Sequence, residues 1–400
     1  MLKIIKKLFP LNRALISDGF DKALEEIQKE LPEMNIHEFP TGKEYDTWKI
    51  PQKWTLRNAS VKFRGKEILD KKKVYTGSLP FKGKVDLKEL KKHLNYQKEP
   101  KKVPYTFKYY DKDWGFSTSL TEYNNYKEGK YDVDIDAEYT DGTLKIGEVI
   151  IPGGKKEILI MVHLDHPYQA NDNLSGVSVA IELAKKLKCE HTIRIAFVPE
   201  TIGSMVYINE FDISNIEFGI TLDMVGNDHT ILMQQTFFEA DKLNKAGVMA
   251  MSELEPIYRI APFRAPLGAD EYIFNDPLIG IPTIFFSRYP YDEYHTTADT
   301  IKIIKVEKLK LTTDIIERTI EIMEQDWIPA RQFKGPLFRS KYKVQQLTKE
   351  ENRKYDYFFY LMDGKRSVLD LCFACQLKFN SMNKLLLKLK KDDFIIQRTI

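Results

Sequence analysis

The sequence predicts an α/β protein: a mostly parallel sheet flanked by helices, with an inserted β-rich domain and a small helical C-terminal domain. Three observations carry this. From Gly147 onward, apolar strand-like runs at 157–162, 192–198, 218–223 and 283–286 alternate with helical stretches at 175–187, 203–209 and 305–325. Before that, from Pro32, Trp48, Trp54, Val61, Phe63, Val74 and Tyr75 fall in short runs separated by Gly, Pro, Asp and Lys turns, a β pattern. Beyond Pro336 the pattern is helical at 349–362, 366–374 and 380–391, with an extended tail at 394–396.

Taken in order, residues 1–10 read as a short amphipathic helix packed on its own domain, because lysines break the apolar run before it reaches secretory length. Leu15, Phe20, Leu24, Ile27 and Leu31 then recur at helical spacing and predict a helix over 11–31. The early helix is assigned to the α/β domain, which gives a catalytic-type domain of 1–45 and 146–330 and an inserted β-rich domain of 46–145. Residues 327–336, with two prolines and a glycine, read as a linker. The remaining 337–400, helices followed by an extended segment, resemble a winged helix.

Composition narrows the function. Lys+Arg 61 against Asp+Glu 58 leaves a net charge of +3 on 400 residues, too balanced to advertise a nucleic-acid or anionic-membrane partner. No uninterrupted apolar run is long enough for a transmembrane helix. Three cysteines cannot build a disulfide framework, so a cytoplasmic location is expected, and Cys372 and Cys375 read as buried packing on a helical face.

The chemistry concentrates where strands end. His163 closes the first strand run, and the period of two places Asp165 on the same side, as a carboxylate behind a ligating imidazole. His166 follows, and then Asp172 inside A-N-D-N-L-S-G at a helix start, where one carboxylate can bridge two cations. Glu200, Asp223, the Asp270–Glu271 pair and His295 fall at further strand ends. Imidazoles and carboxylates at one sheet edge have the ligand chemistry of a zinc site with an open position, and a spare carboxylate supplies the base for hydrolysis.

The ordered set H-x-D, A-N-D-N-x-S-G, E-x-x-G-S, L-D-M and Y-H-T-x-x-D-T resembles the co-catalytic zinc aminopeptidases and glutamate-carboxypeptidase-like enzymes over residues 147–325. The whole chain resembles a bacterial aminopeptidase-like branch with a C-terminal winged helix, whose members often lie in surface-polysaccharide gene neighbourhoods. The resemblance implies His163 as a ligand of one metal, Asp172 as the bridge, Asp223 as the remaining carboxylate of that metal, His295 as the histidine of the second and Glu200 as the general base. The family carries a second Glu directly after the base, and this chain has Thr201, which implies one zinc, or one tight and one weak. The branch typically has His-Pro before the bridge, so His166 stands beside His163 as the alternative ligand.

Asp270, Glu271 and Arg288 are candidates for reading a terminal amine or carboxylate of substrate. The expected activity is zinc-dependent amide hydrolysis on a small peptide or N-acyl substrate, as an aminopeptidase or deacylase. The alternative is a binding or regulatory protein with a reduced metal site. The helical tail is expected to serve interdomain or homo-oligomer contacts rather than nucleic acid, because Asp363, Asp370, Asp392 and Asp393 dilute its lysines.

Overall fold

The computed structural model describes residues 1–238, 242–338, 341 and 349–398. It forms two compact units, Met1–Phe237 with Ala261–Thr313, and Phe238–Ile260 with Asp314–Ile400.

An eight-stranded sheet organises the first unit. Its four central strands, in the order Thr192–Val198, Glu157–His163, Ile216–Leu222 and Thr283–Ser287, are parallel. Outside them the pairing reverses. Thr143–Ile151 runs antiparallel to Thr192–Val198 and carries Asn35–Pro40, while Leu232–Gln234 runs antiparallel to Thr283–Ser287 on the other flank, followed by Arg259–Ala261. The sheet is therefore mixed, and the mostly parallel expectation holds only for its centre. Parallel strands covered on both faces read as unbroken apolar runs, and in Glu157–His163 every residue after the first is buried. Asn35–Pro40 buries only Phe39 and gives no such signal.

Because Glu157–His163 lies between the strands that follow it, the chain departs first to one side and then to the other. The C-terminal ends of such strands bound a crevice, the ordinary place for a site in an open α/β sheet. The N-terminal helix Leu2–Leu8 buries Ile4, Ile5 and Leu8. The next helix is Asp18–Glu30, not 11–31, because the Ser17 hydroxyl caps it by accepting the Phe20 N–H at 3.2 Å. Helices Gly176–Lys186, Ile202–Glu210 and Val306–Gln325 lie close to their sequence-predicted positions.

Residues between the first two sheet strands form a four-stranded antiparallel sheet, ordered Lys66–Asp70, Lys53–Phe63, Lys130–Thr140 and Phe81–Asp86. Its buried Trp54, Val61, Tyr131 and Ile135 share one apolar cluster with Leu159, Met161, Ala196 and Val198 of the large sheet.

In the second unit, helices Lys349–Leu361, Val368–Cys375 and Phe379–Lys391 precede a strand Ile395–Arg398. That strand pairs antiparallel with Ile328–Arg331, so part of the segment read as a linker is a sheet edge. Cys372 and Cys375 are buried free thiols. Among the described residues no helix is long and apolar enough to cross a membrane.

Candidate metal centre

Three imidazoles converge on one buried carboxylate. Asp172 Oδ1 lies 3.0 Å from His163 Nε2 and 2.9 Å from His166 Nδ1, and its Oδ2 lies 2.9 Å from His295 Nε2. Asp223 Oδ1 stands 3.7 Å from His163 Nε2, and Asp270 Oδ2 stands 3.7 Å from the other ring nitrogen. Glu200 reaches the far nitrogen of His166 at 3.4 Å. His163, His166, Asp172, Asp223 and Asp270 are all buried.

The charges explain one another. Burial pushes Asp172 up, but the His166 charge and hydrogen bonds from all three histidines overcome it and hold the carboxyl well below its ordinary range. Burial lowers His163, and the carboxylates of Asp223 and Glu200, the bond to Asp172 and the nearby Asp270 outweigh it and raise the ring well above its ordinary value. His166 is raised in the same way, burial being overcome chiefly by Asp172. Asp223 goes the other way, pushed well up by burial and by the neighbouring Asp172 charge.

Donor chemistry fits a zinc ion. His163, His166 and Asp172 present three ligand atoms within 4.8 Å of one another, and Asp165, His166 and Glu200 do the same. Asp223 Oδ1 and Asp270 Oδ2 are buried oxygens without a hydrogen-bond partner. An orphaned buried carboxylate oxygen is costly unless a cation meets it. Imidazole nitrogens and carboxylate oxygens converging this way match the zinc ligand set.

The ligand loop is held by residues remote in sequence. Asp299 Oδ1 accepts the N–H groups of Ala170 at 3.2 Å and Asn171 at 2.7 Å, and its Oδ2 accepts that of Asp172 at 3.1 Å. Asn173 Nδ2 donates to the Leu222 carbonyl at 2.7 Å, tying the loop to the strand end that carries Asp223. On the other side the buried Arg13 guanidinium donates to the carbonyls of Leu164 at 2.9 Å, His166 at 2.7 Å and Gln169 at 3.0 Å. His166 is in the left-handed region, φ 79°, a conformation that costs a non-glycine residue and needs such bracing.

The remaining predicted site residues take other places. Asp165 does not stand behind His163: the strand ends at His163, the two-residue alternation stops there, and Asp165 Oδ1 accepts the Glu200 N–H at 2.8 Å. Asp270 faces His163 instead, and its Oδ1 accepts the Thr201 N–H at 2.9 Å and the Ser204 hydroxyl at 2.6 Å. Glu271 Oε2 accepts the Ala269 N–H at 2.8 Å, and burial pushes its carboxyl up to about 7. Arg288, expected against substrate, is buried and donates to the carbonyls of Val225 at 3.1 Å and His229 at 2.7 Å.

Glu200, Thr201, His166 and His295 open into a cavity of about 320 Å³. Its other wall is aromatic, with Trp48, Tyr105, Phe107 and Tyr110, and no lysine or arginine among the described residues lines it. Tyr105 sits edge-on to His166 and His295, with ring centres 5.4 and 5.5 Å apart, and its N–H donates to the His295 carbonyl at 2.8 Å. Arg13 and these aromatics were not legible as site residues, since each serves the site only through long-range packing.

The open α/β sheet, with the histidine–carboxylate cluster at its strand ends, has an aminopeptidase-like fold, and the comparisons agree on it. A zinc aminopeptidase from Bacillus subtilis is 16% identical, with a TM-score of 0.60 over 80% of this chain and 94% of that one. A Clostridium acetobutylicum crystal structure, described as a candidate peptidase, is 27% identical and superposes with a TM-score of 0.86 over 99% of this chain and 96% of the other. A Clostridium acetobutylicum protein described as a candidate polysaccharide biosynthesis protein with an aminopeptidase-like domain is 30% identical over 397 residues, 94% of this chain and 91% of the relative. Residues 2–326 match a family described as a domain of unknown function (DUF4910), and the chain belongs to that family.

Proposed function

We propose that the chain is a zinc-dependent amide hydrolase, aminopeptidase-like or a deacylase, acting on a small peptide or N-acyl substrate. The observation that carries this is the Asp172 carboxylate with His163 and His166 on one oxygen and His295 on the other, beside a cavity that Glu200 lines. Asp172, Asp223 and His163 would hold one zinc, and Asp172 with His295 would serve a second, weaker position. His166 is the alternative to His163, being as close to Asp172. Zinc supplies Lewis-acid polarisation of the scissile carbonyl and acidification of water.

The chain's own groups do the rest. The Glu200 carboxylate lies in the cavity wall, placed to accept a proton. Asp165 fixes it by accepting its backbone N–H, and the proton it takes from water passes to the departing amine. A cavity wall without lysine or arginine favours neutral or amine-bearing substrates over free carboxylates. The aromatic wall supplies the apolar contact surface.

Thr201 favours a second reading, a binding or regulatory protein with a reduced metal site, because a hydroxyl replaces the charged ligand that the resemblance implies there. Glu200→Gln separates the two. It keeps size and hydrogen bonding, so turnover of an aminoacyl or N-acyl substrate should fall ~10²- to 10⁴-fold with zinc content nearly unchanged. Unchanged turnover removes Glu200 from the mechanism.

A further inference from the structure

The three metal-facing histidines are not held alike. His163 has Asp172 at Nε2 and Asp270 at Nδ1, and His166 has Asp172 at Nδ1 and Glu200 at Nε2, so a carboxylate faces each of their ring nitrogens. His295 meets Asp172 through Nε2 alone, and its Nδ1 has no hydrogen-bond or ion-pair partner among the described residues. It is also the most open of the three, its side chain 37% exposed against 2% for His163 and 9% for His166. A ligating imidazole is ordinarily oriented by a hydrogen bond at its other nitrogen. His295 lacks a protein partner there, and its ring is oriented by packing.

That packing comes from two tyrosines. Tyr294 stacks on His295, with ring centres 4.0 Å apart and planes at 17°. Tyr105 closes a three-ring cluster: its centre lies 5.5 Å from His295 and 5.4 Å from His166, these two are 5.3 Å apart, and all three pairs meet edge to face. Tyr105 comes from the residues between the first two sheet strands, far from His295 in sequence, and its backbone is tied to the His295 loop. Its N–H donates to the His295 carbonyl at 2.8 Å and the Thr297 N–H donates to the Val103 carbonyl at 2.9 Å, so Pro104 and Thr296 form an antiparallel bridge. Lys102 Nζ adds a bond to the Asp292 carbonyl. His295 itself adopts φ 48°, a left-handed conformation that a non-glycine residue keeps only under restraint.

We propose that Tyr105 is a positioning residue for the weaker metal position: its backbone fixes the His295 loop, and its ring fixes the angle at which the His295 imidazole meets the metal. It acts through His295 rather than His166, whose ring nitrogens both face carboxylates and whose carbonyl is held by Arg13. The inference rests on the metal centre of the hydrolase reading and does not require turnover.

Cobalt(II) titration of the metal-stripped full chain, followed by visible absorption and by competition with a chelator, tests it. Tyr105→Phe keeps the ring and should match the parent at both metal positions. Tyr105→Leu keeps bulk without the ring edge; it should weaken the second position by ~3- to 10-fold, the worth of an edge-to-face contact, change the absorption of the cobalt bound there and leave the tighter position unchanged. Tyr105→Met, equally ringless and more pliable, replaces it if the leucine variant does not fold. In a His295→Ala background, Tyr105→Leu should cause no further loss, because the ligand that the ring positions is gone. An unchanged second position in Tyr105→Leu, an equal loss at both positions, a loss that persists without His295, or a phenylalanine variant as weak as the leucine one would overturn this inference alone. A parent chain that takes up no cobalt would overturn it together with the metal reading.

Discussion

The Asp299 carboxylate accepts the backbone N–H of Asp172 at 3.1 Å, so one acid, buried and remote in sequence, orients another. Tyr291 donates its hydroxyl to the same Asp299 oxygen at 2.8 Å. Burial pushes Asp299 up to about 7, against the backbone N–H groups that favour its charged form. Arg13 mirrors it on the carbonyl side of the loop, bonding Leu164, His166 and Gln169. The metal-facing loop is thus gripped by an acid through its N–H groups and by a base through its carbonyls.

Asp299→Asn should therefore weaken zinc binding although every ligand remains. The amide presents an NH₂ group where the loop needs an acceptor, and disturbed support of this kind typically costs 10- to 100-fold in metal affinity, so about that loss is expected. Competition with a chromogenic chelator measures it. An unchanged affinity would mean that Asp299 holds the backbone without influencing the ligands.

Thr201→Glu should raise zinc occupancy. Thr201 lies in the cavity wall beside Glu200, and its backbone already adopts φ 63°, so the substitution adds a carboxylate without adding a new backbone requirement. Metal analysis of parent and variant after identical dialysis gives the comparison. Two fully occupied zinc positions in the parent would defeat the inference from ligand loss.

Glu271 predicts a pH dependence of stability. Its folded value of about 7 lies above the ordinary 4.5, so the folded state keeps a proton that the unfolded chain releases between those values. The group's contribution is full below 4.5 and is lost as pH rises towards 7, at most ~1.4 kcal/mol per pH unit. Glu271→Gln removes that loss, so the variant's Tm relative to the parent should climb from pH 5 to pH 8. A constant difference across the range would contradict the assignment.

Much of the centre was legible because parallel strands buried on both faces leave apolar runs, and His163 and Asp223 stand where two of them end. Asp172 and His295 were legible through loop motifs. The flanking strands were not, since Asn35–Pro40 exists through pairing with Thr143–Ile151, a partner that no local pattern names. Ile328–Arg331 looked like a linker for the same reason, its partner being Ile395–Arg398. Arg13 gave no signal because the loop carbonyls it holds are over 150 positions away.

Metal analysis of the purified full chain tests the central claim most directly, with Asp172→Ala prepared alongside. At least one tightly held zinc per parent chain is predicted, together with a rise in Tm on adding zinc to stripped protein, and both should vanish in Asp172→Ala because that carboxylate meets all three imidazoles. A parent chain that takes up no zinc and shows no thermal shift, or an Asp172→Ala chain that retains its metal, would contradict the account.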